Sequence, residues 1–467
     1  MKAGQKEQLL YTSNYYLMQK LRVHFLGIGG SGASAVAAIA QNEGFEISGC
    51  DKDPINEFTK VFAQEKLFEG HSPEHLKNVD ILAVTPAIYS LDPDNDELRE
   101  ASKQGLKVLT WQEFMGKYLE KGKFVVAVCG THGKTTTTAM VGQLLEDAGL
   151  DPTVEVGAIV PKWGTNYRLG KGKPVLSEHQ RIEGYFITEA DEFNDNFLVT
   201  HPDIAICTAI EMDHPEYFKD FASYKASFKK FLGQTKEKII ANSSDRGVKD
   251  VLQDNQGQAL DKKAWPWYKC KIVDYSKDLI NFPLKIPGKH NILNASAVYQ
   301  VGLALEIDPE IIKKSLMNFN GVGRRFEKIG ELNGAEIISD FAHHPTEIKT
   351  TLEGAKEKFL DKKIIVVFQP HMFSRTKALF DDFVKVFKNS SADQTYILDI
   401  FPSREVDTGL VNTQQLVDAI NRENVQYINS YDKLLKLLPK EIKDNNIVIF
   451  MGAGDNHKLA KELVNGK

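Results

Sequence analysis

The chain has 467 residues, too many for one compact core, and domains of about 100–200 residues divide it into two or three. Its 42% hydrophobic and 26% charged residues are those of a water-soluble globular protein, and a formal net charge of -5 gives no basic footprint for a nucleic-acid partner. Cys50, Cys129, Cys207 and Cys270 are scattered without a C-x-x-C pair, which argues against a zinc ribbon or disulfide scaffold and fits a reducing, cytoplasmic setting. Residues 1–21 hold no apolar run of signal-peptide length, and no stretch of about 18 apolar residues predicts membrane insertion.

In chain order, "LRVHFLGIGGSGASAVAAIAQNEGFEISGCD" (21–51) reads as strand, glycine turn, helix and strand, with Gly44 ending the helix. Residues 80–88 and 107–110 read as further parallel strands. After a charged linker, 124–129 predicts a strand, followed by "GTHGKTTTT" and a helix ending near Gly149. Two more buried strands are expected at 184–192 and 203–210, and an alanine-rich helix over 288–307. Residues 235–285 carry no readable period. Strands over 336–341, 363–370, 395–401 and 446–454 form a third unit. The fold class is α/β, as three units in series: 1–122, 123–321 and 322–467.

The first glycine loop is Gly27-Ile-Gly29-Gly30-Ser31-Gly32. Glycines at these positions permit a tight turn, let a diphosphate approach the backbone, and let the helix pack closely, with its N-terminus facing the anion. Asp51, ending the next strand, suits a ribose hydroxyl. The plainer reading is strand–helix packing alone. The pattern by itself does not separate a nicotinamide, a flavin or a UDP-sugar.

The second loop, Gly130-Thr131-His132-Gly133-Lys134-Thr135-Thr136, lacks the spacing of the common phosphate loop, because Val128 stands where its first glycine belongs. Its logic is nevertheless the same. Backbone N–H groups form an anion nest, Lys134 reaches the β- and γ-phosphates of ATP, and Thr135 suits Mg2+. A mere glycine turn explains neither the lysine nor the β-branched first helical turn. Glu189, in "TEADE", brings a carboxylate to the same edge as a metal ligand, although Asp191 and Glu192 are close by. His214, in "EMDHPEY", suits a second cation, or is an ordinary loop histidine.

Asn291, beside His290, reads either as a helix cap or as a nucleotide contact. Arg324 and Arg325 bring positive charge of the kind that stabilises a transferring phosphoryl group, and Asp340, His343 and His344 follow a strand; taken alone, these read as solvated residues. His371 and Arg375 follow another, and Arg375 suits a bidentate carboxylate contact.

The ordered set "HFLGIGGSG", "GTHGKTTTT", "TEADE", "DHPEYF", "GKHNILNA", "GVGRRFE", "DFAHHPTE", "FQPHMFSRT" and "MGAGD" resembles the Mur ligases, ATP-dependent amide-forming enzymes of peptidoglycan precursor synthesis. The motifs span residues 24–455; taken together they are most similar to the branch that joins L-alanine to UDP-N-acetylmuramate, and "FQPHMFSRT" favours addition of a single amino acid. The resemblance implies an N-terminal Rossmann-like domain for the UDP-sugar, held by Gly27, Gly29, Gly30, Ser31, Gly32 and Asp51. It implies a central P-loop ATPase-like parallel sheet and a C-terminal Rossmann-like domain for the amino acid.

By the same resemblance, Gly130 to Thr136 hold the ATP phosphates. Thr135 and Glu189 ligate one Mg2+, and His214 a second cation. His290 and Asn291 lie by the adenine, and Arg325 and Asp340 by phosphates and ribose. His344, His371 and Arg375 surround the reacting and amino-acid sites. The expected assembly is a monomer or weak homodimer. Phe228 stands where several relatives carry a carbamylated lysine, Met372 where arginine or threonine is frequent, and Phe341 where tyrosine is. Competing readings are a ligase for a recycled murein tripeptide, a nicotinamide-dependent oxidoreductase, and a binding module that hydrolyses ATP slowly.

Overall fold

A computed structural model describes residues 21–171, 175–176, 181–253, 270–403 and 405–466. The reading of the first 20 residues lies outside the described residues. Among the described residues, three large sheets follow one another along the chain, and a two-stranded antiparallel ribbon pairs Val175–Leu176 with Arg181–Ile182. The first is built from β1 (Arg22–Leu26), β2 (Glu46–Asp51), β3 (Leu67–Glu69), β4 (Ile81–Val84) and β5 (Lys107–Thr110). Its order is β3-β2-β1-β4-β5, all parallel, and helices α1 (Ser31–Asn42) and α2 (Asp96–Gln104) belong to it. The order reverses between β1 and β4, so the crevice above β1 is where such a sheet takes its ligand.

β4 is shorter than the 80–88 expected. Thr85 N donates to Leu26 O at 2.9 Å, Pro86 has no N–H for the ladder, and a helical turn begins at Ile88. Helix α1 buries eight consecutive residues from Ala33 to Ala40, because small side chains let it sit close to the sheet.

The central sheet contains β6 (Phe124–Cys129), β7 (Thr153–Val160), β8 (Thr165–Arg168), β9 (Tyr185–Glu189), β10 (Ile204–Cys207), β11 (Lys238–Ala241) and β12 (Lys271–Asp274). Its order is β12-β11-β10-β6-β9-β7-β8, parallel except for the β7–β8 pair. Helices α3 (Lys134–Asp147), α4 (Phe221–Leu232) and α5 (Lys289–Ala304) cover it. β6 and β10 carry no charge because neighbours cover both faces. β10 ends earlier than the 203–210 expected, since Thr208 turns to donate to the His132 carbonyl at 2.5 Å. The unreadable 235–285 region supplies β11, a short helix at Arg246–Leu252, and β12, while residues 254–269 lie outside the described residues.

The third sheet holds β13 (Glu327–Leu332), β14 (Ala335–Asp340), β15 (Lys363–Phe368), β16 (Gln394–Ile397), β17 (Val425–Tyr427) and β18 (Asn446–Met451). Its order is β13-β14-β18-β15-β16-β17, with β13 antiparallel at one edge. Among its helices are α6 (Pro345–Lys358), α7 (Phe373–Ala378) and α8 (Asn456–Asn465).

Candidate active site

The loop from Gly130 to Gly133 joins β6 to α3 and is fastened to the end of β10. Thr131 N donates to Ala209 O at 2.8 Å, and Thr131 Oγ1 donates to Glu211 O at 2.9 Å. Gly130 has φ +131°, and a Cβ there would lie 2.1 Å from Thr208 Oγ1. Gly133 has φ +82°, and its Cβ would lie 2.7 Å from Asn294 Oδ1. Both glycines are therefore required by backbone conformation and by crowding.

Lys134 opens α3 with its ammonium buried, donating to Gly130 O at 2.7 Å and Glu192 Oε2 at 2.8 Å. Burial pulls its pKa down, but Glu192, Asp191 and Glu189 outweigh that and hold it above the usual lysine value. Thr135 Oγ1 donates to Glu189 Oε1 at 2.9 Å, and Gly157 N donates to Glu189 Oε2 at 2.9 Å. The hydroxyl and carboxylate expected to share a cation are thus in contact. Behind them, Glu155 Oε2 accepts from Thr188 Oγ1 at 2.8 Å and Glu189 N at 3.2 Å. Burial, reinforced by Glu189, pushes the Glu155 carboxyl up to about 8.

His214 has φ +55° and sits beside Asp191 and Glu192, with candidate ligand atoms of the three within 4.8 Å of one another. Burial lowers its pKa, but Asp213 and Glu216 outweigh that and raise it. An oxygen-rich group around one imidazole suits a hard divalent cation.

Two cavities meet at this loop. One, about 280 Å³, is lined by His132, Thr136, Tyr275, His290, Asn291 and Asp340 among others. Its mix of apolar wall and a few polar groups suits a nucleoside. The other, about 640 Å³, has walls from all three sheets: Ser31, Gly32 and Trp111; Lys134, Thr135 and Glu189; Arg324, Arg325 and His343. Gly133, Thr135, Arg325 and Glu347 line both.

In the smaller cavity, His290 Nδ1 is buried without a hydrogen-bond partner. Burial, aided by Arg325, lowers His290 to about 4, so the ring stays neutral and can pair with a base or sugar. Asn291 is no N-cap: its amide donates back to Pro287 O at 2.6 Å, and Gly288 caps α5. Asp340 accepts from Phe326 N at 2.9 Å and Ala342 N at 2.8 Å, while burial lifts its carboxyl to about 6.

The first glycine loop is held by a bond that the sequence did not reveal. Gly29 N donates to Asp51 Oδ2 at 3.0 Å, and a Cβ on Gly29 would lie 2.7 Å from Asp53 O. Asp51 thus braces the loop from the end of β2. Gly27 has φ +90° and abuts Thr85, and a Cβ on Gly32 would meet the Trp111 ring at 2.6 Å. Gly30 is the N-cap residue of α1, and Ser31 and Gly32 reach the larger cavity.

The third domain's residues are placed differently from expectation. His343, rather than His344, lines the larger cavity. His344 is 3% exposed and caps α6, accepting from Thr346 N at 3.3 Å. Arg375 is also 3% exposed, and its Nε donates to Asp213 Oδ1 at 2.9 Å while Nη1 lies 3.1 Å from His371 Nδ1. Its carboxylate is therefore one of the protein's own, on the central domain, and it acts on the cavity through Asp213, a wall residue. Arg325 packs over the Phe341 ring at 5.0 Å and lies 3.5 Å from Glu347.

Glu347, like Asp213, was missed from sequence. It accepts from His343 N and His344 N at 3.1 and 3.2 Å and lies 3.4 Å from His132 Nδ1. The spacing H-P-T-E was a capping-box signal, but nothing local tied it to His132. His132 also meets Glu211 at 3.0 Å; burial lowers its pKa, yet the two carboxylates raise it to about 9. Phe228 is fully buried against Phe197 and Tyr224, so aromatic packing fills this position. Cys129 is buried opposite Cys207 in the β6–β10 register, away from solvent.

Three family profiles match consecutive segments: "Mur ligase family, catalytic domain" over residues 22–122, "Mur ligase middle domain" over 128–302, and "Mur ligase, glutamate ligase domain" over 324–454. A UDP-N-acetylmuramate–L-alanine ligase from Clostridium tetani is 37% identical, covering 94% of this chain and 96% of that protein. One from Alkaliphilus metalliredigens is also 37% identical, covering 96% and 97%. The crystal structure of the UDP-N-acetylmuramate–alanine ligase of Thermotoga maritima superposes with a TM-score of 0.75 at 25% identity, covering 96% of this chain and 99% of that one.

Proposed function

The chain belongs to the Mur ligase family, and on that premise we propose that it joins L-alanine to UDP-N-acetylmuramate with cleavage of ATP to ADP and phosphate. The observation that carries this reading is the 640 Å³ cavity, where walls from all three sheets converge on the phosphate loop. A nucleotide-binding pocket alone serves many reactions. A pocket walled by three domains suits one that must bring nucleotide, sugar carboxylate and amine together.

We assign the smaller cavity to the nucleoside of ATP, with His290, Asn291 and Thr136 near the base and Asp340 near the ribose. Gly130 to Thr135 cradle the phosphates. Lys134 and Arg325 face the γ-phosphoryl group, and the loop from Gly27 to Gly32 takes the UDP-sugar. The donor set of Thr135 and Glu189 fits Mg2+, as do Asp191, Glu192 and His214 for a second cation. When bound, such ions supply charge neutralisation at the β- and γ-phosphates.

The muramic carboxylate attacks the γ-phosphorus and ADP leaves, giving an acyl phosphate. Lys134 and Arg325 stabilise the charge spreading over the equatorial oxygens. The neutral amine of L-alanine then attacks the acyl carbon, phosphate departs, and the amine proton is lost to the surrounding medium. Arg375, held by Asp213, positions the third domain across the cleft. ADP release that depends on both UDP-N-acetylmuramate and L-alanine tests the reading; release indifferent to both would reduce the protein to a slow ATPase.

A further inference from the structure

A second cluster of chemistry-bearing side chains lies in the N-terminal domain, and none of its members lines either cavity. His24 on β1, Cys50 on β2, His75 on the short helix Pro73–Leu76 and Glu97 on α2 each offer one donor atom, all within 4.8 Å of one another. The parallel register pairs His24 with Ser48 and Leu26 with Cys50. His24 and Cys50 therefore share the sheet face opposite the one bearing Val23, Phe25 and Ile47. Glu97 sits at the centre, its oxygens 3.2 Å from Cys50 Sγ, 2.8 Å from His75 Nδ1 and 3.5 Å from His24 Nε2. The side chains of His24 and Glu97 are fully buried, and that of His75 is 13% exposed.

The surroundings orient these donors inward. His24 Nδ1 lies 2.9 Å from Ser48 Oγ, while His24 Nε2 is buried with no hydrogen-bond partner and faces Glu97. An imidazole fixed through one nitrogen presents a lone pair on the other, as metal-ligating histidines do. Ser72 N donates to Glu97 Oε1 at 2.8 Å and sets the carboxylate. The His75 ring stacks on Phe68 at 4.4 Å, which fixes its plane. His71 Nδ1 also lies 3.2 Å from Cys50 Sγ.

We propose that this cluster binds one structural Zn2+, with Cys50 Sγ, His24 Nε2, His75 Nδ1 and the Glu97 carboxylate as its four ligands. Thiolate, imidazole and carboxylate are the donors zinc takes, and a closed four-ligand set is that of a structural site. Bond lengths of about 2.0–2.3 Å in a tetrahedron require donor separations of roughly 3.3–3.7 Å; those from Glu97 to the other three donors are 2.8–3.5 Å, and no two donors are more than 4.8 Å apart. A thiolate and a carboxylate balance the ion's two charges beside two neutral imidazoles, so the bound site carries no net charge into the interior. Binding releases the thiol proton to solvent. The ion would tie α2 and the Pro73–Leu76 turn to β1 and β2, bracing the strands that carry the first glycine loop.

The test is a titration of the full chain, stripped with a chelator, with Co2+ alone. The expected result is saturation at one equivalent per chain, with the visible bands of a tetrahedral site and a near-ultraviolet thiolate-to-cobalt band. One equivalent of Zn2+ should bleach both. A cation held by Thr135, Glu189 or Asp191 has no sulfur ligand and contributes no such band. Cys50→Ser abolishes the thiolate band, and His75→Gln, at the exposed edge, weakens Co2+ binding about tenfold or more. Absence of a saturable thiolate band, or its survival in Cys50→Ser, overturns the proposal and leaves a hydrogen-bonded His–Glu–Cys network without an ion.

Discussion

Lys134 and Glu192 form a buried ion pair, 2.8 Å between Nζ and Oε2, at the point where the phosphate loop becomes α3. The pair holds the lysine in place before any phosphate arrives. Removing one partner of a buried pair costs about 3–5 kcal/mol, because the other charge is stranded. Lys134→Ala is therefore expected to lower thermal stability and to reduce ADP formation by about a hundredfold or more, the scale for losing one charge-stabilising donor. The double variant Lys134→Ala/Glu192→Gln should recover stability without recovering turnover. Melting curves and single-turnover assays separate the two effects; full turnover in Lys134→Ala would remove the lysine from the mechanism.

His132 bridges Glu211 of the central domain and Glu347 of α6, with its pKa raised to about 9. A histidine raised on folding contributes stability that is complete below its unfolded pKa of about 6.5 and lost as pH rises through the folded value. The melting temperature should therefore fall between about pH 6.5 and 9. His132→Gln should flatten that part of the profile. An unchanged slope in the variant would show that the bridge is not protonated.

Glu155 gives a contribution of the same direction by a different route. Its carboxyl is raised to about 8 by burial and by Glu189, so the folded chain keeps a proton that the unfolded chain releases near pH 4.3. Stability attributable to this group declines as pH rises from about 4.3 to 8. Glu155→Gln, which resembles the protonated acid, should match the unsubstituted protein at acidic pH and exceed it in melting temperature at pH 9. A lower melting temperature at pH 9 would contradict the assignment.

Arg375 and Asp213 connect the third domain to the second, 2.9 Å apart and both nearly inaccessible to solvent. Arg375→Met and Asp213→Asn should each weaken domain docking by about 2–5 kcal/mol. The double variant should cost less than the sum. Small-angle scattering should record a more extended chain for each single variant. Additive effects in the cycle would mean the two residues do not act as a pair.

Much of the site was legible because its chemistry is local. Gly130, Gly133, Lys134 and Thr135 lie within six residues, and the turn that joins a strand to a helix dictates their types. Glu189 was legible because a parallel strand delivers its last side chain to the ligand edge. Glu347 and Asp213 were not, since their partners His132 and Arg375 are more than 150 residues away in sequence. The bond from Gly29 N to Asp51 was not legible either: a carboxylate at a strand end suits a ribose, and only the folded turn shows that it also braces the glycine loop. The edge strands β8 and β13 escaped notice because each has one strand neighbour and lacks the apolar run that marks the sheet's interior.

The central claim is that this chain activates the sugar carboxylate for a single L-alanine. Its most direct test is the mass of the product formed from ATP and UDP-N-acetylmuramate when L-alanine competes with the murein tripeptide at equal concentration. The account predicts a UDP-sugar heavier by one alanyl residue, formed together with ADP and phosphate. A tripeptide adduct as the main product would contradict it.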